Sequence, residues 1–522
     1  MTSYLSATPR RKLMAAGAAA AGAALAISAC SGGGTSAGTG STAAVSSSSA
    51  VLKWATTFPT SWDPVVNGAG AQFRPLTLVY ASLTTINAQG DPEPGLASSW
   101  TYNKTGTEVT FHIRPGLTFS DGTPVNAAAV KDEIIRGQTQ QNSALLEDLE
   151  PVQSVTTSGN YDVEVYLNHP DFQIPLVFGE RVLLIPSPKA AADPAKLDQF
   201  PVGDGPFIVT SLVPGQSVTM KKNPDYWDAK DIHIQTVVLS AAPSAATVVA
   251  GLETGVYNFA DLAASEAEQA KAAGLDVFVQ PGFNAENISI NINKAPFKGN
   301  PTLIEAIRYA INRQQFVNQL TFGYGESTDE VFPPGYIGYD PADANLWPYN
   351  PAKAKQLLAQ AGYKPGQLTL PLVIPSAVDS PEAEIVQAQL AAIGINVTIT
   401  INPNWATPFF AKQLVFSLYG TTGRDSATET LRDHFGPDGV LNLSSPYEPA
   451  GFAAAVDKAE ATPIGSPDYA ANLQAATNAG LQSEALIFLY VAPNLFAKSP
   501  SISALPGNPG HVEFTGVTIN GQ

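Results

Sequence analysis

The chain has 522 residues, with 45 acidic against 28 basic side chains, five His and one Cys. At ~100–200 residues per domain that length fits two or three domains. An apolar fraction of 44% with 14% charged residues fits a packed fold rather than a disordered chain. The net charge of −17 argues against nucleic acid as a partner, and a single Cys excludes an internal disulfide or a thiolate metal cluster.

Residues 1–29 read as an export signal. Arg10-Arg11-Lys12 opens it, an Ala-rich apolar stretch runs from Leu13 to Ile27, and small residues precede Cys30. That stretch is short for a membrane span. Ile27-Ser28-Ala29-Cys30 resembles the bacterial lipoprotein box, which implies acylation of Cys30 and anchoring in a lipid bilayer. The paired arginines leave twin-arginine and general secretory export both open. Cutting before Cys30 would take the net charge from −17 to −20. Residues 31–50 form a Gly/Ser/Thr/Ala tether, a coil spanning roughly 25 Å.

Val51 to Thr56 reads as a strand, followed by the loop Phe58 to Pro64. Leu76 to Leu83 reads as helix. Val109 to Arg114 and Tyr161 to Leu167 alternate apolar and polar residues, the period of half-buried strands, and Leu117 to Phe119 begins another strand. Asp121-Gly122 is a tight turn, and Asn126 caps a helix over Ala127 to Gly137. Gly203-Asp204-Gly205 is a turn before the strand Ile208 to Thr210; it lacks the Lys of a phosphate-binding loop. Ala245 to Gly255 reads as helix and Asn287 to Asn293 as an alternating strand. Thr302 to Phe322 reads as one helix, and Ala352 to Gly362 as another ended by its Gly. Leu368–Ile374, Pro381–Gly394 and Ile395–Ile401 form a strand–helix–strand unit, which implies a parallel pair. Ala453–Ala459 and Tyr469–Ser483 follow as helices, then the apolar strand Ala485–Val491.

Several segments, in order, are similar to one family. They are Thr60-Ser61-Trp62-Asp63-Pro64; Pro94 to Trp100 with Phe111 to Val125; Val202 to Phe207 with Asn223 to Trp227; Asn291 to Phe297 with Ala306 to Arg313; and Tyr349 to Tyr363. The chain resembles the extracytoplasmic solute-binding proteins of ABC importers, family 5, the peptide/nickel-type group. The resemblance implies an α/β, two-lobed periplasmic-binding-protein-like fold of the large cluster C type, with an extra β-rich subdomain in lobe I. Lobe I would comprise 51–283 plus 486–522 and lobe II 284–485. Crossing strands near 283–293 and 485–491 would form a hinge, and ligand would bias an open–closed equilibrium.

Asp425 matches the Asp that peptide-binding members pair with the peptide α-ammonium, chemistry suited to a charge-assisted bond in a closed cleft. Arg424 beside it could neutralise it instead. Trp405 matches a cleft Trp, against the alternative of a core ring. Phe58 and Trp62 lie on the loop that flanks ligand in relatives, or pack in the core or hinge. Tyr419 and Asn442 are further candidates, and Arg74 could meet a ligand carboxylate or form a salt bridge. His112 and His169 have no spaced partner, which weakens direct metal capture. No nucleophile–base pair can be assembled, so an extracytoplasmic hydrolase is disfavoured.

The expectation is therefore a lipid-anchored receptor on the outer face of the cytoplasmic membrane. It would bind a short peptide and pass it to an ABC permease and its ATPase subunits, as a monomer, with no cofactor, resident metal or reaction of its own. Oligosaccharide and chelated metal are the alternative solutes.

Overall fold

A computed structural model describes residues 50–520, apart from 68–72, 88, 180, 243, 422, 425 and 508–511. The expected signal, Cys30, most of the tether and Asp425 lie outside the described residues.

Two long strands, Asp276–Ile290 and Leu486–Lys498, run antiparallel in the middle of an 11-stranded mixed sheet. At one end, residues 496–498 pair with Phe259–Asp261. From there the sheet continues through Val51–Thr56, Thr236–Ala241, Ser217–Lys222 and Phe207–Val213. At the other end, residues 285–290 pair with Phe416–Thr421, which leads to the parallel pair Leu368–Ile374 and Ile395–Ile401. The register of the two long strands shifts between Gln280 and Asn284, across Pro281-Gly282. A proline cannot donate to the ladder and a bulge bends its strand, so the sheet changes direction there. The fold is two-lobed, with a sheet wing in each lobe.

Each wing has its own apolar core. Ile288, Phe297, Ile304, Ile307, Leu370, Leu390 and Phe416 are buried in one. Trp54, Leu76, Tyr80, Phe207, Met220, Phe259 and Phe496 are buried in the other. The β-rich subdomain is a four-stranded antiparallel sheet ordered Ala97–Tyr102, Glu108–Ile113, Asp162–Leu167, Val152–Ser158. Val109, Phe111, Ile113, Val163, Val165 and Leu167 face inward at every second position and pack on Val130 and Ile134 of the helix Ala127–Thr139. Asn126 caps that helix, its side chain accepting from the Ala129 amide at 3.0 Å.

Four sequence expectations need correction. The run 76–83 is helical only over Arg74–Thr77. Beyond it the backbone has distant partners: Ala81 O accepts from Ile185, Ser82 O from Leu96 and Leu83 O from Ala97. These long-range bonds override local propensity. The helix expected over 302–322 is two helices, Pro301–Ala310 and Arg313–Leu320. At the break, Gln389 accepts from the Asn312 amide and donates to its carbonyl, replacing the lost helical bonds. Residues 117–119 form only an isolated bridge, Thr118 to Pro124, and the strand expected over 287–293 ends at Ile290. The strand–helix–strand unit forms as expected, with Leu368 beside Ile395 in parallel register.

Candidate functional site

A cavity of about 1090 Å³ opens where three parts of the chain meet. Ser143 to Glu147 supply one wall. Asn284 and Glu286, at the end of the register shift, supply the floor between the wings. Pro375, Ser376, Asp379 and residues from Trp405 to Leu441 supply the rest. The cavity is well over twice the size of the neighbouring one of about 450 Å³ around His169 and Asp457, and it exceeds the ~300–1,000 Å³ usual for small-molecule sites.

Three expected residues line it: Trp405, Tyr419 and Arg424. Trp405 begins the short helix that follows the strand Ile395–Ile401, and its ring is half-buried. It stacks on Phe409 at 4.3 Å between ring centroids, and its indole N–H donates to Ser417 Oγ at 2.7 Å. Trp405 thus packs on Phe409 and also lines the cavity. Tyr419, on Phe416–Thr421, is buried and donates to the Leu441 carbonyl at 3.1 Å. Its hydroxyl is thereby committed to the wall.

Arg424 carries most of the site's electrostatics. Its Nε donates to Asp433 Oδ2 at 2.6 Å, and its other nitrogens lie 3.5 Å from Asp148 and 3.7 Å from Glu147. Burial works against its charge, but Asp433, Asp148 and Glu429 outweigh burial and hold its proton more tightly than usual. Arg181 joins the cluster at 2.9 Å from Asp148. Burial raises the Asp148 carboxyl, yet Arg181 and Arg424 overcome this and leave it lowered. For Glu147 the nearby Arg424 is not enough: burial first, and then the charge of Asp433, push it up to about 7. Glu429, its carboxylate oxygens buried near Asp148, is pushed well above the carboxylate range.

The remaining expected residues lie elsewhere. Trp62 is 6% exposed in the Trp54–Phe496 core, where its carbonyl accepts from the Tyr80 hydroxyl at 2.8 Å. Phe58 packs on the same core. Asn442 is buried behind the wall and braces its loop, donating to the Gly436 carbonyl at 2.8 Å and to that of Tyr447 at 2.6 Å. Arg74 lies 4.0 Å from Asp261 and over the Phe496 ring at 5.2 Å, so its role is packing and charge pairing inside its own wing. His112 meets Asp162 at 2.8 Å on the subdomain sheet, far in topology from the cavity segments.

Sequence reading missed Glu147, Glu286, Asp379, Asp433 and His434, all of which line the cavity. Beyond Asp276 at its start, Glu286 is the one charged residue of its strand, opposite Gly420, and that was its one legible signal. Burial and then Asp379 push its carboxyl up to about 7.

The comparisons agree with this architecture. A family model described as bacterial extracellular solute-binding proteins, family 5, matches residues 91–439. Heme-binding protein A of Haemophilus influenzae is 28% identical over 351 residues, 60% of this chain and 63% of that protein. Glutathione-binding protein GsiB of Salmonella typhi is 31% identical over 313 residues, 58% of this chain and 60% of that protein. The match thus spans about three-fifths of these relatives' own length. The solved structure of the periplasmic binding protein DppA from Helicobacter pylori, in complex with the peptide STSA, superposes with a TM-score of 0.78 at 22% identity. That superposition covers 90% of this chain and 98% of the other. With its two-winged sheet and the family match across the segments that build the cavity, the chain belongs to the family 5 bacterial extracellular solute-binding proteins.

Proposed function

We propose that this chain is the substrate-binding component of an ABC importer, capturing a short peptide between its lobes and passing it unaltered to a membrane permease. The observation that carries this reading is the cavity of about 1090 Å³, walled by residues 143–147, 284–286 and 405–441 and large enough for several residues of peptide. Past its single bridge from Val373 to Ser417, the strand Phe416–Thr421 has no partner on that side among the described residues. Gly420 and Thr421 line the cavity there. An extended peptide can add its own backbone to such an edge. Asp425 is the proposed partner of the peptide α-ammonium, and Trp405, Tyr419 and Arg424 the proposed wall residues. Asn442 braces the loop behind them, while Phe58 and Trp62 support the core of the other wing. A glutathione-binding relative and a peptide-bound structural neighbour support the same solute class.

The lobes would be 51–283 plus 486–522 and 284–485, hinged at the register shift between Gln280 and Asn284. Arg424 with Asp148, and the Tyr469 hydroxyl with Gln173 at 2.7 Å, would latch the closed form. The signal, the acylated Cys30 and the tether would hold this monomeric receptor at the outer face of the cytoplasmic membrane. It would do no chemistry of its own.

Thermal shift against peptides, sugars and nickel chelates tests the solute class. A true ligand at 100 times its Kd stabilises by about 2.7 kcal/mol. Tripeptides should raise the melting temperature; a shift from sugars or chelates and none from peptides would refute the peptide assignment.

A further inference from the structure

The cavity's charges do not balance. Glu147, Glu286, Asp379 and Asp433 line it, against Arg424 alone among lysines and arginines. Arg424 is spent on Asp433, Asp148 and Glu147. Glu286 and Asp379 therefore face the space with no Lys or Arg paired to either among the described residues. Asp379 accepts from the Ser376 amide at 2.9 Å and its hydroxyl at 3.0 Å, which fixes its carboxylate at the start of a helix. The Glu286 carboxylate lies over Gly420, where a Cβ would come within 2.7 Å of its Cδ, so the glycine leaves the space that this carboxylate fills.

Two further groups, both more than nine-tenths buried, each leave one polar atom without a hydrogen bond. Glu382 is 6% exposed, feels the charges of Glu286 and Asp379, and has Oε1 without a hydrogen bond. His434, 1% exposed, lines the same cavity. Its Nδ1 meets the Thr430 carbonyl at 2.8 Å, which leaves Nε2 as an acceptor with nothing donating to it. A site offering acceptors and spare negative charge suits a donor-rich cation. Leu146 and Phe410 line the space at 54% and 51% exposure, beside the Trp405 ring. Apolar surface next to a carboxylate pair suits a cation carried on an aliphatic stem.

We infer that the Glu286–Asp379 wall binds an ammonium or guanidinium of the ligand, so that this receptor prefers peptides bearing a basic group there. This rests on the cavity being the solute site, and it deepens that reading from peptides in general to cationic ones. The ligand's charge replaces the counter-ion that the chain itself does not provide.

Calorimetric titration with Ala-Lys-Ala, its norleucine isostere and Ala-Glu-Ala, each with a free and an acetylated N-terminus, tests it on the wild type and Glu286→Gln. The lysine peptide should bind about tenfold or more tighter than the isostere, and Glu286→Gln should remove that margin. If Glu286→Gln instead erases the effect of the free N-terminus, the cation bound is the α-ammonium and the site stands. Equal affinities for lysine and norleucine peptides, unaltered by Glu286→Gln in either N-terminal form, would overturn it. Should no peptide bind, 1,5-diaminopentane decides. Binding that Glu286→Gln abolishes keeps the cation site and sinks the peptide reading; no binding sinks both.

Discussion

Arg424 and Asp148 stand 3.5 Å apart, joining the segment after the subdomain helix to the loop that follows Phe416–Thr421. Asp433 and Arg181 complete the network, at 2.6 Å from Arg424 and 2.9 Å from Asp148. Its members are nearly all buried, so removing the central cation strands charges that water cannot reach. Arg424→Ala should cost about 3–5 kcal/mol of stability, read as a lowered midpoint in urea unfolding. A loss under ~1 kcal/mol would mean that the carboxylates take up protons and that the pair holds little together.

Gly205 shows what a short glycine turn does here. A Cβ at this position would meet Val79 C and Tyr80 N at 2.6 and 2.8 Å, backbone atoms that cannot swing aside. The Gly205 amide also donates to the Val79 carbonyl at 2.8 Å. Gly205→Ala should destabilise by about 1–3 kcal/mol, as overpacking of a tight core does. Gly507→Ala, with nothing within 4 Å of its Cβ, is the control and should stay within about 0.5 kcal/mol.

Stability should fall as pH rises from about 5 to 8. Burial pushes Glu147 and Glu286 up to about 7, and burial with the nearby Glu460 pushes Asp171 up to about 8. Through this window the folded protein keeps protons that the unfolded chain has already released. The unfolding free energy therefore drops with pH, the reverse of a carboxylate held low by a salt bridge. Melting temperatures at pH 5, 6.5 and 8 check this; a rise towards pH 8 would show that these acids are ionised in the fold.

Cys30→Ser tests the proposed anchor. The exported wild type should partition into the detergent phase and the variant into the aqueous phase, both with the same ligand affinity. Equal partitioning would remove the lipid from the account.

Much of the fold could be read from sequence because its signals are local. The alternation of Val109, Phe111 and Ile113, the cap at Asn126 and the strand–helix–strand unit from Leu368 all reappear. The errors came where distant partners decide. Residues 81–83 bond to 96, 97 and 185, and Gln389 satisfies the break at Asn312, contacts that no window of sequence contains. The site was legible only in part. Trp405, Tyr419 and Arg424 could be reached by resemblance, whereas Trp62 and Asn442 proved to be buried supports. Glu286 and Asp379 went unread because their meaning lies in what is missing around them, a cation that only the assembled cavity shows to be absent.

The central claim is a receptor whose lobes close on a peptide. Small-angle X-ray scattering on ligand-free protein, before and after saturation with a tripeptide shown by calorimetry to bind, measures this directly. The account predicts a smaller radius of gyration in the bound state and recovery of the intact peptide. An unchanged radius with binding saturated, or a cleaved peptide, would contradict it.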